Sequence, residues 1–145
     1  MELARGVFRL RASSLSSSQA LLSRCPTECR LSSSGEHWQA RVSIRLAVDK
    51  NGNALERPTI QRFGEPITWK FDVEERIKRA QLAILNPSIA AEDFLTVDLP
   101  FSQTNESRFS KNSIILDISG PDVEDLAFVD LPGACQVNYF KLTYD

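Results

Sequence analysis

A short apolar run, Leu126 to Val129, stops on the carboxylate of Asp130, and a turn through Pro132 and Gly133 follows. Residue types in this order suit one kind of chemistry. An acid leaving the carboxyl end of a buried strand can hold a divalent cation, usually through water. A glycine three positions on, having no Cβ, lets the backbone N–H come close to a phosphate group. Asp130 and Gly133 fit that pattern. The same Val-Asp-Leu-Pro tetrapeptide stands at 97–100, but Phe101 occupies the position that needs a glycine, so Asp98 reads as a loop acid. A strand followed by an ordinary turn remains the plain alternative for both copies.

Other chemistry-bearing side chains form weaker patterns. Cys25, Cys29 and Cys135 could join His37 in a Cys₃His zinc site, but the first spacing is loose and the third cysteine is remote, so reduced thiols are the expectation. Glu74 with Lys78 and Glu75 with Arg79 are spaced as ion pairs on a solvated helix face rather than as acid–base machinery.

The elements that must position Asp130 can be read from periodicity. Trp38, Ala40, Val42, Ile44, Leu46 and Val48 alternate with polar residues, which predicts a strand with one wet face near a sheet edge. Asn51-Gly52 predicts a tight turn after it. A helix is expected over 73–85, with Asp72 as cap, Glu75 completing a capping-box spacing, and Val73, Ile77, Ala80 and Ile84 as the buried stripe. Asn86-Pro87 ends it. The polar stretch 100–112 reads as a loop. Residues 114–119 and 126–129 are expected to pair as an antiparallel hairpin, the second being covered on both faces.

Composition bounds these readings. The chain has 145 residues, 42% hydrophobic and 25% charged, which suits one domain with a real core. Its formal net charge of −2 gives no bulk attraction to nucleic acid, so no nucleic-acid partner is expected. No apolar stretch approaches the roughly 20 residues that span a bilayer. Residues 1–22 are rich in Arg and Ser and poor in acids, and disorder is the expectation there. Mitochondrial import is the alternative to a cytoplasmic location.

The surroundings of Asp130 are more specific than the four residues themselves. The stretches FSKNSIILDISGPDVEDLAFVDLPG, RCPTECRLSSS, WQARVSIRL and EERIKRAQLAILNPS together resemble the GTPase domain of the dynamin family, especially its fungal members, from about Ser23 to Gly133. The resemblance implies an α/β fold of the P-loop NTPase type, present as an incomplete G domain with a mixed sheet and flanking helices over 23–133. Residues 134–145 form a divergent tail. It implies GTP and Mg2+ as ligands, with Asp130, Leu131, Pro132 and Gly133 as the nucleotide-sensing element and Asp130 at the metal. It also implies that the hydroxyl helping to hold metal and attacking water belongs to Ser23, which precedes Arg24-Cys25-Pro26. Thr27 is the runner-up outside that motif position. Membranes, microtubules and full-length dynamin-like proteins are the implied partners, and membrane association is implied with them.

Two departures set limits on activity. No G-x-x-x-x-G-K-[ST] phosphate cradle occurs, since the glycines stand at 6, 35, 52, 64, 120 and 133. No Thr-Lys-x-Asp guanine reader follows Gly133 either, and both ends read as replaced or truncated. The expectation is therefore a GTPase by family that is inactive as this chain. The alternatives are a non-catalytic interaction module derived from a GTPase domain, and an unrelated α+β domain.

Overall fold

The computed structural model describes residues 24–96 and 106–131, together with the backbone of 138–140. The strands are β1 (Thr27–Ser33), β2 (Gln39–Val48), β3 (Ala54–Arg62), β4 (Ser113–Gly120), β5 (Leu126–Asp130) and β6 (Asn138–Phe140). The helices are α1 (Asp72–Leu85) and the single turn α2 (Asp93–Thr96). The strands form one six-stranded mixed sheet in the order β3-β2-β4-β1-β5-β6. Only β1 and β4 run parallel to each other; the remaining neighbours are antiparallel.

Alternation in β2 buries Ala40, Val42 and Ile44, as the period-2 pattern requires. Its position near an edge also holds, because β2 is next to last on that side of the sheet, with β3 pairing outside it as the edge strand. The two are joined through Asp49, whose carboxylate accepts from the backbone N–H of Asn51 at 2.8 Å and of Asn53 at 2.9 Å, while Gly52 adopts a φ of 83°. This is the tight turn that Asn51-Gly52 predicts. Where the β2–β3 register shifts between Leu46 and Val48, buried Asn112 accepts from Ala47 N–H at 2.8 Å and Val48 N–H at 3.0 Å. A side-chain amide thus replaces the partner that the irregular ladder leaves out.

Helix α1 packs on β2 and β4 through Val73, Ala80 and Ile84, with Ile77 partly buried beside them, so the predicted stripe faces the core. Its start differs from expectation. Phe71 is the N-cap, no side chain caps the helix, and Asp72 is the first helical residue. Asp72, Glu74 and Glu75 instead place negative charge in the first turn, where the helix dipole favours it. The pairs Glu74–Lys78 at 3.0 Å and Glu75–Arg79 at 3.1 Å form as the spacing predicts. Ile114, Ile115, Leu116 and Leu85 are almost wholly buried, each contributing on the order of 1.5–3 kcal/mol of transfer free energy.

The predicted hairpin of 114–119 with 126–129 does not form, because β1 lies between β4 and β5 and pairs with both. After β4 the chain passes the end of β1 and returns on its other side. Ser34 N–H donates to Gly120 carbonyl at 3.0 Å and Ser33 N–H to the Asp125 carboxylate at 2.7 Å, which ties this crossing to β1. Nor is β5 covered on both faces, since Phe128 is its one fully buried residue. Residues 106–112 hold no helix or strand, consistent with the predicted loop. Among the described residues no helix is long and apolar enough to cross a membrane.

Candidate functional site

Asp130 owes its position to two antiparallel strands. Thr27, the first residue of β1, is the register partner of Asp130, the last of β5. Segments far apart in sequence, the one that precedes β1 and the one that follows β5, therefore meet at one end of the sheet. Pro26 precedes β1, and the chain entering it is fastened from the other side. Ser110 N–H donates to Arg24 carbonyl at 3.2 Å and Ile114 N–H to Pro26 carbonyl at 2.8 Å. Cys25, between them, is 1% exposed.

The same row of the sheet runs through Ile44, Ile114, Thr27 and Asp130. Directly opposed residues in a ladder place their side chains on one face. Thr27 sits in that row between a buried isoleucine and a carboxylate. It is 4% exposed, and its hydroxyl oxygen Oγ1 is buried with no hydrogen-bond partner among the described residues. A buried hydroxyl without a partner costs about 1–3 kcal/mol, so such an atom calls for an explanation in terms of an ion, a water or a function. Asp130 is partly buried and already takes part in an interaction. Leu131, next in the chain, is 44% exposed.

Of the sequence-predicted residues, Asp130 and Leu131 are thus located at the end of β5. Ser23, Pro132 and Gly133 lie outside the described residues, as does Asp98 in the look-alike copy and Cys135 of the considered zinc set. Among the described residues no group of three or more His, Cys, Asp or Glu side chains gathers in metal-binding geometry. What is present suits a hydrated cation rather than a dehydrated one. Mg2+ keeps several waters and commonly takes only one or two protein carboxylates, so a site centred on Asp130 would ask for few further protein ligands.

The opposite face of β1 carries a separate polar network. Glu28 accepts from Arg30 Nε at 2.8 Å and stands 3.3 Å from Arg45 Nη1. The Arg30 hydrogen bond is the main reason that the Glu28 carboxyl is held below its ordinary value, while Glu28 in turn raises Arg30. Cys29, on the buried face, has its thiol pushed up to about 12 by burial, with Asp117 adding to the effect. A thiol so strongly favoured in its neutral form is no nucleophile.

A cavity of about 220 Å³ lies elsewhere, lined by Arg41, Val42, Arg62, Gly64, Glu65 and Pro66 at the β2–β3 edge. It contains none of the candidate site residues chosen from sequence. A concavity between a strand and the loop after it leaves no periodic signal, which is why sequence reasoning missed it. The sequence offers Thr27 only as the runner-up to Ser23, and its place at the start of β1 comes from the fold.

Comparison with known proteins gives a distant relationship. No family model matches the chain. Over 119 residues it is 29% identical to the interferon-induced GTP-binding protein Mx of Solea senegalensis, covering 81% of this chain and 14% of that protein. It is likewise 29% identical over 119 residues to the interferon-induced GTP-binding protein Mx of Dicentrarchus labrax, covering 81% of this chain and 13% of that protein. The chain therefore spans only about a seventh of the length of these curated relatives. Both relatives are GTP-binding proteins by name, and the similarity to them is distant and partial.

Proposed function

We propose that this chain carries part of the GTP-binding domain of a dynamin-like GTPase, and that as the 145-residue polypeptide it does not turn GTP over. One observation carries the first half. The Thr27–Asp130 register brings the segment after Ser23 and the segment leading to Gly133 to one end of a mixed sheet, the juxtaposition that a cation- and phosphate-sensing site needs. The distant similarity to GTP-binding Mx proteins supports the same reading. The fungal subtype rests on local sequence resemblance alone.

In this reading the cation, when bound with GTP, neutralises charge that develops on the transferring phosphoryl group. The chain's own residues have narrower tasks. Asp130 anchors the hydrated cation through its carboxylate, Ser23 offers a hydroxyl, and Gly133 leaves its N–H open to a phosphate oxygen. Leu131 and Pro132 fix the turn between them. The second half of the proposal rests on the absence of a phosphate cradle and of a guanine-reading motif from the sequence. The cradle supplies backbone donors and a lysine to a strongly anionic ligand, and most nucleotide affinity goes with it. Membrane remodelling and cytoplasmic, membrane-associated location belong to this proposal at family level.

The test is Mg2+-dependent GTP hydrolysis by the 145-residue chain, then by a longer chain supplying a P-loop and a guanine reader. No saturable turnover is expected from the first. Turnover is expected from the second and should fall about 100-fold or more with Asp130→Ala, the scale of losing a preorganised electrostatic contact. Turnover by the short chain, abolished by Asp130→Ala, would overturn the claim of inactivity. A longer chain indifferent to Asp130→Ala would overturn the site. The missing cradle also favours a second reading, a non-catalytic module that binds full-length dynamin-like proteins, which co-purification with such a protein would support.

A further inference from the structure

We infer that Thr27 is a positioning residue for Asp130: its hydroxyl donates a hydrogen bond to the Asp130 carboxylate when that carboxylate engages a hydrated divalent cation. The inference rests on the proposed cation site and names a member of it outside the Arg-x-Pro motif position, where Ser23 stands. Three observations converge on Thr27. It is the direct register partner of Asp130, so the two side chains leave the same face of the sheet. It is 4% exposed. Its hydroxyl has no hydrogen-bond partner among the described residues.

The chemistry follows from where the hydroxyl can and cannot reach. A side chain this buried cannot enter the first coordination sphere of a cation at the sheet end without leaving the core. The carboxylate across the ladder is within about 4.5–5.5 Å between Cβ atoms, a separation that one rotamer change of either side chain can close to a hydrogen bond. A carboxylate has about four lone-pair sites, so it can take the Thr27 donor on one side and metal-bound water on the other while keeping an existing contact. Hydrogen bonds to the back of a ligating carboxylate fix its orientation, and their loss commonly lowers metal affinity 10–100-fold. The position explains why threonine stands there. Valine would fill the same space without an unpaired hydroxyl, and would be the better core residue if packing alone were required.

That difference gives the test its sign. Mn2+, added alone to the full 145-residue chain, is followed by paramagnetic broadening of amide resonances at the start of β1 and the end of β5, with thermal unfolding measured in parallel. Thr27→Val should weaken Mn2+ binding about tenfold while leaving the unfolding midpoint unchanged or higher. Thr27→Ser, which keeps the donor, should bind within about twofold of the unaltered chain, tenfold being the scale of a lost contact. Unchanged Mn2+ affinity in Thr27→Val overturns the inference while leaving the cation site standing. A fall in both affinity and midpoint that Thr27→Ser does not relieve also overturns it, since the residue would then be structural. No broadening around Asp130 in the unaltered chain removes the cation site and this inference together.

Discussion

Gly64→Ala should be among the more damaging single-methyl changes in this fold, and its cost can be assembled from two sources. Gly64 has a φ of 79°, a left-handed conformation that costs a residue with a Cβ about 1–2 kcal/mol. The space the methyl would enter is occupied by the Arg76 guanidinium, with the Leu95 Cδ2 atom 3.2 Å away on the other side. That guanidinium donates to Phe63 carbonyl at 3.2 Å and to Glu65 carbonyl at 2.9 Å, which fastens α1 to the loop after β3. Displacing it weakens two charge-assisted hydrogen bonds, in part replaceable by water, for a further ~1 kcal/mol. The total is about 2–3 kcal/mol. In thermal unfolding followed by circular dichroism, this should lower the midpoint by roughly 8 °C. The same substitution in an Arg76→Ala background should cost only the backbone part, about 1–2 kcal/mol. A loss below about 0.5 kcal/mol, where surface substitutions usually fall, would refute the strain argument. Equal losses in the two backgrounds would refute the role of Arg76.

Acid and alkaline behaviour should follow Glu28 and Cys29. Because the folded state holds the Glu28 carboxyl below 4.5, its contribution is present above that value and is lost as pH falls through the folded pKa. Glu28→Gln should flatten that part of an acid titration of stability by about 1 kcal/mol or less, and an unaltered acid limb would count against the Arg30–Glu28 bond. The Cys29 thiol runs the other way: raised from 9.0 to about 12, it supports the fold fully below 9 and ceases to do so as pH climbs toward 12. A thiol reagent at pH 8 should therefore label Cys29 only as fast as the chain unfolds, and rapid labelling of the native protein would contradict its burial.

Much of the sheet was legible because period-2 alternation is a physical requirement of a half-covered strand. Ala40, Val42 and Ile44 show it, and the α1 stripe shows the helical counterpart. The course of β1 was not legible, since Thr-Glu-Cys-Arg-Leu-Ser-Ser reads as a polar stretch although Thr27 and Cys29 are buried. Missing β1 led directly to the false hairpin, as proximity in sequence then left β4 and β5 only each other to pair with. The mistaken Asp72 cap has a different cause: Phe71 already holds helical φ and ψ values of −69° and −19°, so the helix begins one residue before any capping side chain. For the candidate site, residue type and order pick out Asp130 as an expectation, but its partner across the ladder depends on register, which no local pattern encodes. Whether a hydroxyl is satisfied or stranded is a property of the packed core, and only the folded chain shows Thr27 as stranded.

The outermost described strand has a consequence for how copies of this chain can meet. An edge strand with free N–H and C=O groups invites a neighbour to add its own strand, and long flat edges are routes to uncontrolled polymerisation. Strand β3 is long, at nine residues, but it carries Pro58, which has no N–H to offer, preceded by Glu56 and Arg57 and followed further on by the exposed Arg62. A strand laid along it would miss a donor midway and bring charges against its own backbone. Whatever assembles with this sheet is thereby turned away from the β3 margin, and a Pro58→Thr or Arg57→Val lineage would be the one expected to drift toward insoluble stacks.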